Sequence, residues 1–359
     1  MCIIFKCVAK VIGFYELCNI FVENFKIIFM EKILGMGNAL TDILLCVSDD
    51  APLNQLELPK GSMQLIDEVK MHEISELLSH IPAVMATGGS ASNTINGITK
   101  LGIPAGFLGK LGKDAVGDFF MNDSIENGVT PQMTYSETPS GRCTVLITPD
   151  GERTLCTFLG AACELYAEDL NLEMFSDYTF FHIEGYLVQN HDLIKRAVQL
   201  AKEAGLTVSL DLASFNVVET NLDFLHDLIE NYVDIVFANE EEAKSFTNKS
   251  PEEALELISK KCKIAVVKTG KTGSLIKSGE VTHKVGSRVS DCIDTTGAGD
   301  LYASGFLYGL AKNFSLDVCG AIGSIVAGHV VEVIGAKMPN EKWETIHSEI
   351  KKVLEMSGN

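Results

Sequence analysis

From Lys32 onward the sequence alternates β-branched runs with amphipathic runs, and this alternation constrains the fold more than any other feature of the chain. The runs 193–204 and 222–231 place Leu, Ile and Val at three- and four-residue steps, which is typical of helices that face a core. Strands that alternate with such helices form a mainly parallel sheet covered by helices on both faces. We therefore predict a single three-layer α/β/α domain over residues 30–359. The strand candidates are 84–86, 105–108, 178–183, 207–210, 235–238 and 264–269.

Two stretches interrupt the alternation, at about 42–66 and 133–160. The second stretch carries two turn signals, Pro-Ser-Gly at 139–141 and Pro-Asp-Gly at 149–151. We interpret both stretches as strand pairs without an intervening helix, which form a small separate sheet. A sheet that is covered on one face only can close over a site as a lid. Its exposed edge can also pair with a second copy, so we predict a homodimer through this lid.

The formal net charge of −19 excludes several classes of partner. Such a surface repels nucleic acid and anionic lipid, and no basic cluster in the sequence overrides that field, so a small molecule is the expected partner. The ten cysteines are scattered without the two-residue spacing of zinc or redox sites. We interpret them as free thiols in a reducing cytoplasm.

The first 29 residues are apolar and aromatic, but charged residues interrupt them. No run reaches the core of a signal peptide or the length of a membrane span. Met30 precedes the first convincing strand, so we expect translation to begin there. Residues 1–29 are then a non-native or disordered extension, and an amphipathic helix on a membrane surface is the alternative interpretation.

The segment from Asp294 to Asp300 reads Asp-Thr-Thr-Gly-Ala-Gly-Asp and runs directly into a buried-helix pattern. The small residues Gly297, Ala298 and Gly299 let the backbone approach a ligand, and the helix N-terminus adds partial positive charge. This combination predicts an anion site. Asp300 is either a charge partner for the helix N-terminus or a catalytic carboxylate, and the glycines beside it favour catalysis.

This segment resembles the carboxy-terminal signature of the PfkB family of kinases, and residues 88–93, Gly-Gly-Ser-Ala-Ser-Asn, resemble its amino-terminal signature. The resemblance extends from Lys32 to the end of the chain and is closest to the adenosine kinase branch. It implies a ribokinase-like fold, with ATP as phosphoryl donor and Asp300 as the base that takes a proton from an acceptor hydroxyl.

The resemblance also implies which residues bind the acceptor. Gly88 and Gly89 would line its pocket, and Asn93 would hold a hydroxyl group. Asn38 and Asp42 match the position where the family binds the hydroxyls of a sugar. Glycines in a plain strand-to-helix turn, and an Asp in a solvated turn, are the structural alternatives for these positions.

Four further positions resemble the nucleotide side of the family, namely Asn239, Thr269, Gly270 and Gly273. Glu242 completes an Asn-x-x-Glu motif that would organise Mg²⁺ through water, although Asn and Glu are equally typical of a helix start. The family often adds K⁺ bound by backbone, here around residues 291–296. Arg153 matches a basic position of the family's lid, and a solvated hairpin arginine is the alternative.

Two other motifs suggest different functions. Residues 265–272 fit a relaxed phosphate-loop pattern, but they continue into a strand instead of opening a helix, so we reject a P-loop ATPase. Residues 35–40 begin like a dinucleotide fingerprint, but Leu40 replaces its third small residue. A nicotinamide-dependent oxidoreductase and a non-catalytic binding protein are the alternatives from other classes.

We predict that the phosphoryl acceptor is a hydroxymethyl group on a ribose-like ring. Adenosine kinases commonly sandwich the base between aromatic side chains. Phe158, Tyr186 and Phe215 lie near positions that could do so, or else they pack in the core or lid. Gln64 departs from the base-facing lid residue of adenosine kinases. Because the resemblance is closest to the adenosine kinase branch, we favour a nucleoside as the acceptor. Ribose, fructose and 2-keto-3-deoxygluconate are the sugar alternatives.

Overall fold

Fourteen strands and twelve α-helices follow one another in the computed structural model, which describes residues 31–358. The strands are β1 (Ile33–Met36), β2 (Leu40–Cys46), β3 (Met63–Leu65), β4 (Ala83–Gly88), β5 (Ala105–Gly112), β6 (Val129–Ser136), β7 (Arg142–Ile147), β8 (Arg153–Phe158), β9 (Phe180–Glu184), β10 (Thr207–Asp211), β11 (Ile235–Asn239), β12 (Ile264–Lys268), β13 (Ser274–Ser278) and β14 (Val281–Val285). The helices are α1 (Ala51–Gln55), α2 (Glu68–Leu77), α3 (Ser90–Lys100), α4 (Ala115–Glu126), α5 (His191–Glu203), α6 (Phe215–Thr220), α7 (Leu222–Tyr232), α8 (Glu240–Thr247), α9 (Pro251–Ile258), α10 (Ala298–Ala311), α11 (Leu316–Val330) and α12 (Asn340–Ser357).

Nine strands form the large sheet in the order β14-β13-β12-β11-β10-β9-β1-β5-β6. The seven strands from β12 to β6 in this order pair in parallel, and β13 and β14 add an antiparallel hairpin at one edge. This arrangement confirms the predicted mainly parallel sheet. Because the strands alternate with helices along the chain, each crossover places a helix on one face of the sheet.

Both faces of the large sheet are covered, as adjacent residues of β11 demonstrate. Val236 packs into one hydrophobic cluster, with residues of α5, α7, α8 and α9. Phe237 points the other way, into a cluster with residues of α3 and α10. Successive side chains of a strand point to opposite faces, so this strand is buried on both sides. The three-layer α/β/α prediction is therefore confirmed.

Five strands form a second, smaller sheet in the order β3-β8-β7-β2-β4. Helices α1 and α2 cover one of its faces, where Leu45 and Leu146 are buried against Leu53 and Ile74. The registers of the strands place Asp42 on the opposite face. The small sheet is therefore covered by its own helices on one side only, as a lid requires.

The prediction for the small sheet differs from the structure in three respects. Residues 133–136 belong to β6, which pairs in parallel with β5 along eight residues of the large sheet, so the lid strands begin only after Pro139. Residues 84–86 belong to β4, which pairs antiparallel with β2 in the small sheet. Val84 is exposed, whereas an inner strand of a parallel sheet is buried on both faces. Helix α1 also lies between β2 and β3, where no helix was expected.

From Lys32 onward the described chain forms one compact unit. The expectation for residues 1–29 lies outside the described residues. Among the helices between residues 31 and 358, none is long and apolar enough to cross a membrane.

Candidate active site

Polar and charged residues gather at one edge of the large sheet, where the carboxyl ends of the parallel strands meet. They are Asn38 just after β1, Glu184 at the end of β9, Asp211 at the end of β10, Asn239 at the end of β11 and Lys268 at the end of β12. Ligands of open α/β sheets bind outside this edge. We therefore take it as the candidate active site.

Helix α10 begins at this edge with the predicted anion motif. Gly297 is its N-cap with a φ of 74°, a left-handed conformation that favours glycine. A Cβ on Gly297 would come within 2.6 Å of the Cβ of Ala336, and a Cβ on Gly299 would lie 3.0 Å from Nζ of Lys268. Gly297 therefore lets Ala336 pack against the start of the helix, whereas Gly299 leaves open space beside the Lys268 ammonium.

Asp300 lies in the first turn of α10 and is held by helix α3. The Ser90 hydroxyl donates a 2.7 Å hydrogen bond to one carboxylate oxygen, and the Asn93 amide donates a 3.0 Å hydrogen bond to the other. The Thr94 hydroxyl donates to the backbone carbonyl of Asp300. The two glycine-rich motifs of the sequence are thus in direct contact.

Burial raises the pKa of Asp300 to about 6, and the Asn93 and Ser90 hydrogen bonds act in the opposite direction. The nearby Asp211 carboxylate raises this pKa, whereas the Lys268 ammonium lowers it. A carboxylate with a pKa of about 6 is largely ionised at neutral pH and is still basic enough to accept a proton.

Gly88 and Gly89 allow β4 and α3 to approach the β1–β2 segment closely. A Cβ on Gly88 would come within 2.6 Å of the Asp42 carboxylate, and a Cβ on Gly89 would meet the Asn38 carbonyl oxygen at 2.3 Å. Gly89 also has a φ of 91°. These glycines therefore have a packing role beside Asp42. Burial raises the pKa of Asp42 to about 6, although the Lys337 and Arg153 charges oppose this shift.

Sequence reasoning missed Glu184, which is only 1% exposed and has no cationic partner among residues 31–358. It accepts hydrogen bonds from the backbone amide and side-chain amide of Asn38, and from the backbone amide of Ala91. Burial raises its pKa to about 7. The one signal in the sequence was an acid at the end of a mostly apolar strand.

At the predicted nucleotide side of the site, Asn239 and Glu242 cap helix α8 reciprocally. Both carboxylate oxygens of Glu242 accept hydrogen bonds from Asn239, whose side-chain oxygen accepts from the Glu242 amide at 2.9 Å. The helix-start alternative is therefore realised. Burial and the Asp211 carboxylate raise the pKa of Glu242.

Lys268 and Asp211 form an ion pair that the sequence did not reveal. Nζ of Lys268 donates a 2.7 Å hydrogen bond to the Asp211 carboxylate, which is almost fully buried. Although burial opposes the charge, the Asp211 and Glu242 carboxylates raise the pKa of Lys268. A cation is thereby kept beside Gly299.

The predicted residues Thr269, Gly270 and Gly273 form the tight connection between β12 and β13. Gly270 and Gly273 have φ values of 52° and 108°, and a Cβ on Gly273 would come within 1.9 Å of the Val285 carbonyl oxygen. A single 3-10 turn, Gly270–Thr272, leads directly into β13. A phosphate loop must open a helix, so the rejection of a P-loop is confirmed.

Arg153 joins the small sheet to the anion motif. Its guanidinium pairs with the Asp294 carboxylate and donates a 3.1 Å hydrogen bond to the Thr296 hydroxyl. Its side chain is only 16% exposed, so the alternative of a solvated hairpin arginine was wrong. The small sheet therefore contacts the predicted anion motif directly.

Comparison with known families decides the classification. The model for the pfkB family carbohydrate kinases matches residues 63–343, which is most of the chain. The chain belongs to the pfkB family. It is therefore a kinase, and the predicted family is confirmed.

Solved structures of two bacterial kinases share the fold. A "probable sugar kinase" from Rhizobium etli CFN 42 is 35% identical, with a TM-score of 0.78 over 89% of this chain and 99% of the other. An adenosine kinase from Sinorhizobium meliloti is 34% identical, with the same TM-score and coverage. Among sequence relatives, the adenosine kinase of Saccharomyces cerevisiae is 27% identical over 86% of this chain and 96% of its own length.

The residues of this pfkB chain fit a nucleoside triphosphate. Gly299 leaves open space at the start of α10 beside the Lys268 ammonium, and the amides of a helix N-terminus bind phosphate. Among residues 31–358, no group of three potential metal ligands is present. Magnesium commonly binds through phosphates and water with few protein ligands, so Glu242 is compatible with such a role.

Proposed function

We propose that this kinase transfers the γ-phosphoryl group of ATP to a primary hydroxyl on the ribose-like ring of a nucleoside. The observation that carries the proposal is the position of Asp300. Asp300 directly follows the Gly-Ala-Gly segment at the start of α10, and its carboxylate is oriented by hydrogen bonds from Ser90 and Asn93. A base next to an anion site is the arrangement that phosphoryl transfer to an alcohol requires.

In the proposed reaction, Asp300 takes the proton of the acceptor hydroxyl. The acceptor oxygen forms a bond to the γ-phosphorus as the bond between that phosphorus and the β,γ-bridging oxygen breaks, and ADP leaves. Gly297, Ala298 and Gly299 form the proposed anion hole, in which backbone amides stabilise the negative charge that develops on the phosphoryl oxygens. The Ala298 amide also donates a 3.1 Å hydrogen bond to the Thr295 carbonyl. Lys268 adds positive charge beside Gly299.

The proposed acceptor site comprises Asn38, Asp42, Gly88, Gly89 and Asn93. Oδ1 of Asn93 is buried and accepts no hydrogen bond from residues 31–358, whereas its Nδ2 is bound to Asp300. A buried acceptor without a partner favours a ligand hydroxyl as its donor. This orphaned oxygen, close to the base, supports the assignment of Asn93 to the acceptor.

The proposed nucleotide site comprises Asn239, Thr269, Gly270 and Gly273, with Mg²⁺ held by Glu242 through water. Bound magnesium would neutralise charge on the phosphates. Asn239 orients Glu242 through the cap of α8. Potassium near residues 291–296 stays a prediction from the family resemblance.

Two observations support a nucleoside over a free sugar. An adenosine kinase is 34% identical over nearly its whole length. Tyr186 and Phe215, which follow β9 and β10, are each 41% exposed, so their rings are free to stack on a base. The 35% identity to a "probable sugar kinase" is the observation that supports the alternative, a sugar acceptor.

We also propose a cytoplasmic location and a homodimer through the lid. Met63 and Leu65 on one edge strand, and Val84 on the other, are 60%, 67% and 68% exposed. Their registers place them on the same face of the small sheet as Asp42. A second copy would bury this apolar rim. Sedimentation of the wild type as a monomer would contradict the dimer.

The test is ADP release from magnesium-ATP with adenosine, inosine, ribose, fructose and 2-keto-3-deoxygluconate. We expect turnover on a nucleoside that falls by about 10²-fold or more in Asp300→Asn, because the proton acceptor is lost. Asp317→Asn is the matched control, since Asp317 is an exposed acid in the first turn of the next helix. Turnover on a sugar alone would select the sugar alternative, and absence of ATP binding would overturn the proposal.

A further inference from the structure

Lys337 follows Gly335 and Ala336, which contact the predicted anion motif. The Gly335 amide donates a 2.8 Å hydrogen bond to the Asp294 carboxylate. Ala336 occupies the space beside Gly297 that a Cβ there would enter. The position of Lys337 is therefore tied to the anion motif through its two preceding residues.

The Lys337 ammonium is buried and has no hydrogen-bond partner among residues 31–358. Three charged groups face it: Asp42 on β2 and Asp123 on α4 favour its charged form, and Lys100 at the end of α3 opposes it. Burial lowers the pKa of Lys337 to about 8. A buried ammonium without a partner is costly, so such a group indicates a ligand that supplies the missing acceptor.

The two carboxylates near Lys337 differ in their hydrogen bonds. Asp123 already accepts from the Thr87 amide and hydroxyl. Asp42 makes no hydrogen bond through its carboxylate to any described residue. Asp42 and Lys337 thus present an unused acceptor and an unused donor on the acceptor side of the site.

We propose that Lys337 binds the acceptor, donating to an oxygen of a vicinal diol whose hydroxyls donate to Asp42. A hydroxyl can donate to a carboxylate and accept from an ammonium at the same time, so a diol satisfies both residues. This inference rests on the proposed function and adds Lys337 to its acceptor site.

The test compares Lys337→Met and Lys337→Arg with wild type, using adenosine, 2′-deoxyadenosine and 3′-deoxyadenosine. Lys337→Met should raise the KM for adenosine by about tenfold or more without changing the KM for ATP, because a charge-assisted hydrogen bond is lost. The preference for adenosine over both deoxy analogues should shrink in the same variant. Lys337→Arg should keep part of this preference.

Lys351→Met is the matched control, because Lys351 is exposed on α12. Lys337→Met removes an unpaired buried charge and should fold, which its melting temperature checks. An unchanged KM and unchanged preference would overturn the inference while wild-type turnover leaves the proposed function standing. If the wild type does not turn over, calorimetric binding of adenosine decides: weaker binding by Lys337→Met supports the inference, and equal binding or none overturns it.

Discussion

Asn93 Nδ2 donates a 3.0 Å hydrogen bond to Oδ2 of Asp300, which lies 207 residues later in the chain. Ser90, one turn earlier on the same helix, donates to the other oxygen of this carboxylate. Both oxygens of the proposed base are thereby oriented by α3. The first glycine-rich motif therefore positions the residue that the second motif supplies.

Ser90→Ala should raise the pKa of Asp300, since the Ser90 hydrogen bond lowers it. The acidic limb of the kcat/KM profile should then move up by roughly one pH unit, as expected when a hydrogen bond to a charged group is lost. The measurement is the pH dependence of kcat/KM. Ser92→Ala, on the same helix, removes no hydrogen bond to Asp300 and is the control. A limb that stays in place in Ser90→Ala would contradict the assignment of Asp300 as the base.

Gly297→Ala should lower both stability and kcat. The left-handed φ of 74° costs about 1 kcal/mol for a residue with a side chain, and the new methyl group would also displace Ala336. Gly128→Ala is the control, because Gly128 has a φ of 79° with open space around its Cβ position. Melting temperature and kcat are measured for both variants. Equal effects on kcat would argue against a role for Gly297 in the anion site.

Glu184→Gln should weaken the pH dependence of stability. The folded-state pKa of about 7 lies above the ordinary 4.5, so the folded protein binds the proton more tightly than the unfolded chain. Stability is therefore lost as pH rises from about 4.5 to about 7, by roughly 3 kcal/mol from this group. Urea unfolding across this range measures the loss, which should shrink in Glu184→Gln. Glu168→Gln, at an exposed position, is the control, and identical slopes would refute the prediction.

Arg153→Met should lower kcat/KM by about tenfold or more, because the small sheet loses its contact with Asp294 and Thr296 and the site is less well closed. Steady-state kinetics with the preferred acceptor measure this change. Lys60→Met is the control, since within residues 31–358 Lys60 pairs only with Asp50 and Asp150, at the exposed end of the lid. If both variants kept wild-type activity, the contact between lid and anion loop would have no functional role.

The family, the parallel sheet and the anion motif were predictable from the sequence because each depends on local patterns. Helix and strand periodicities extend over a few residues, and Gly297 marks a backbone conformation that few other residues adopt. The bounds of the small sheet were less predictable. Val84 and Met133 are both strand residues, and only pairing with β2 or β5 assigns each to its sheet.

Sequence alone determined that the chain is an α/β protein with a carboxylate at the start of a glycine-rich helix. Tertiary structure alone decided that Glu184 and Lys268 lie at the same edge of the large sheet. Each is a single charged residue in its own segment, without a local motif. Their burial, partners and pKa values depend on residues distant in sequence, because electrostatic interactions and desolvation are set by three-dimensional proximity.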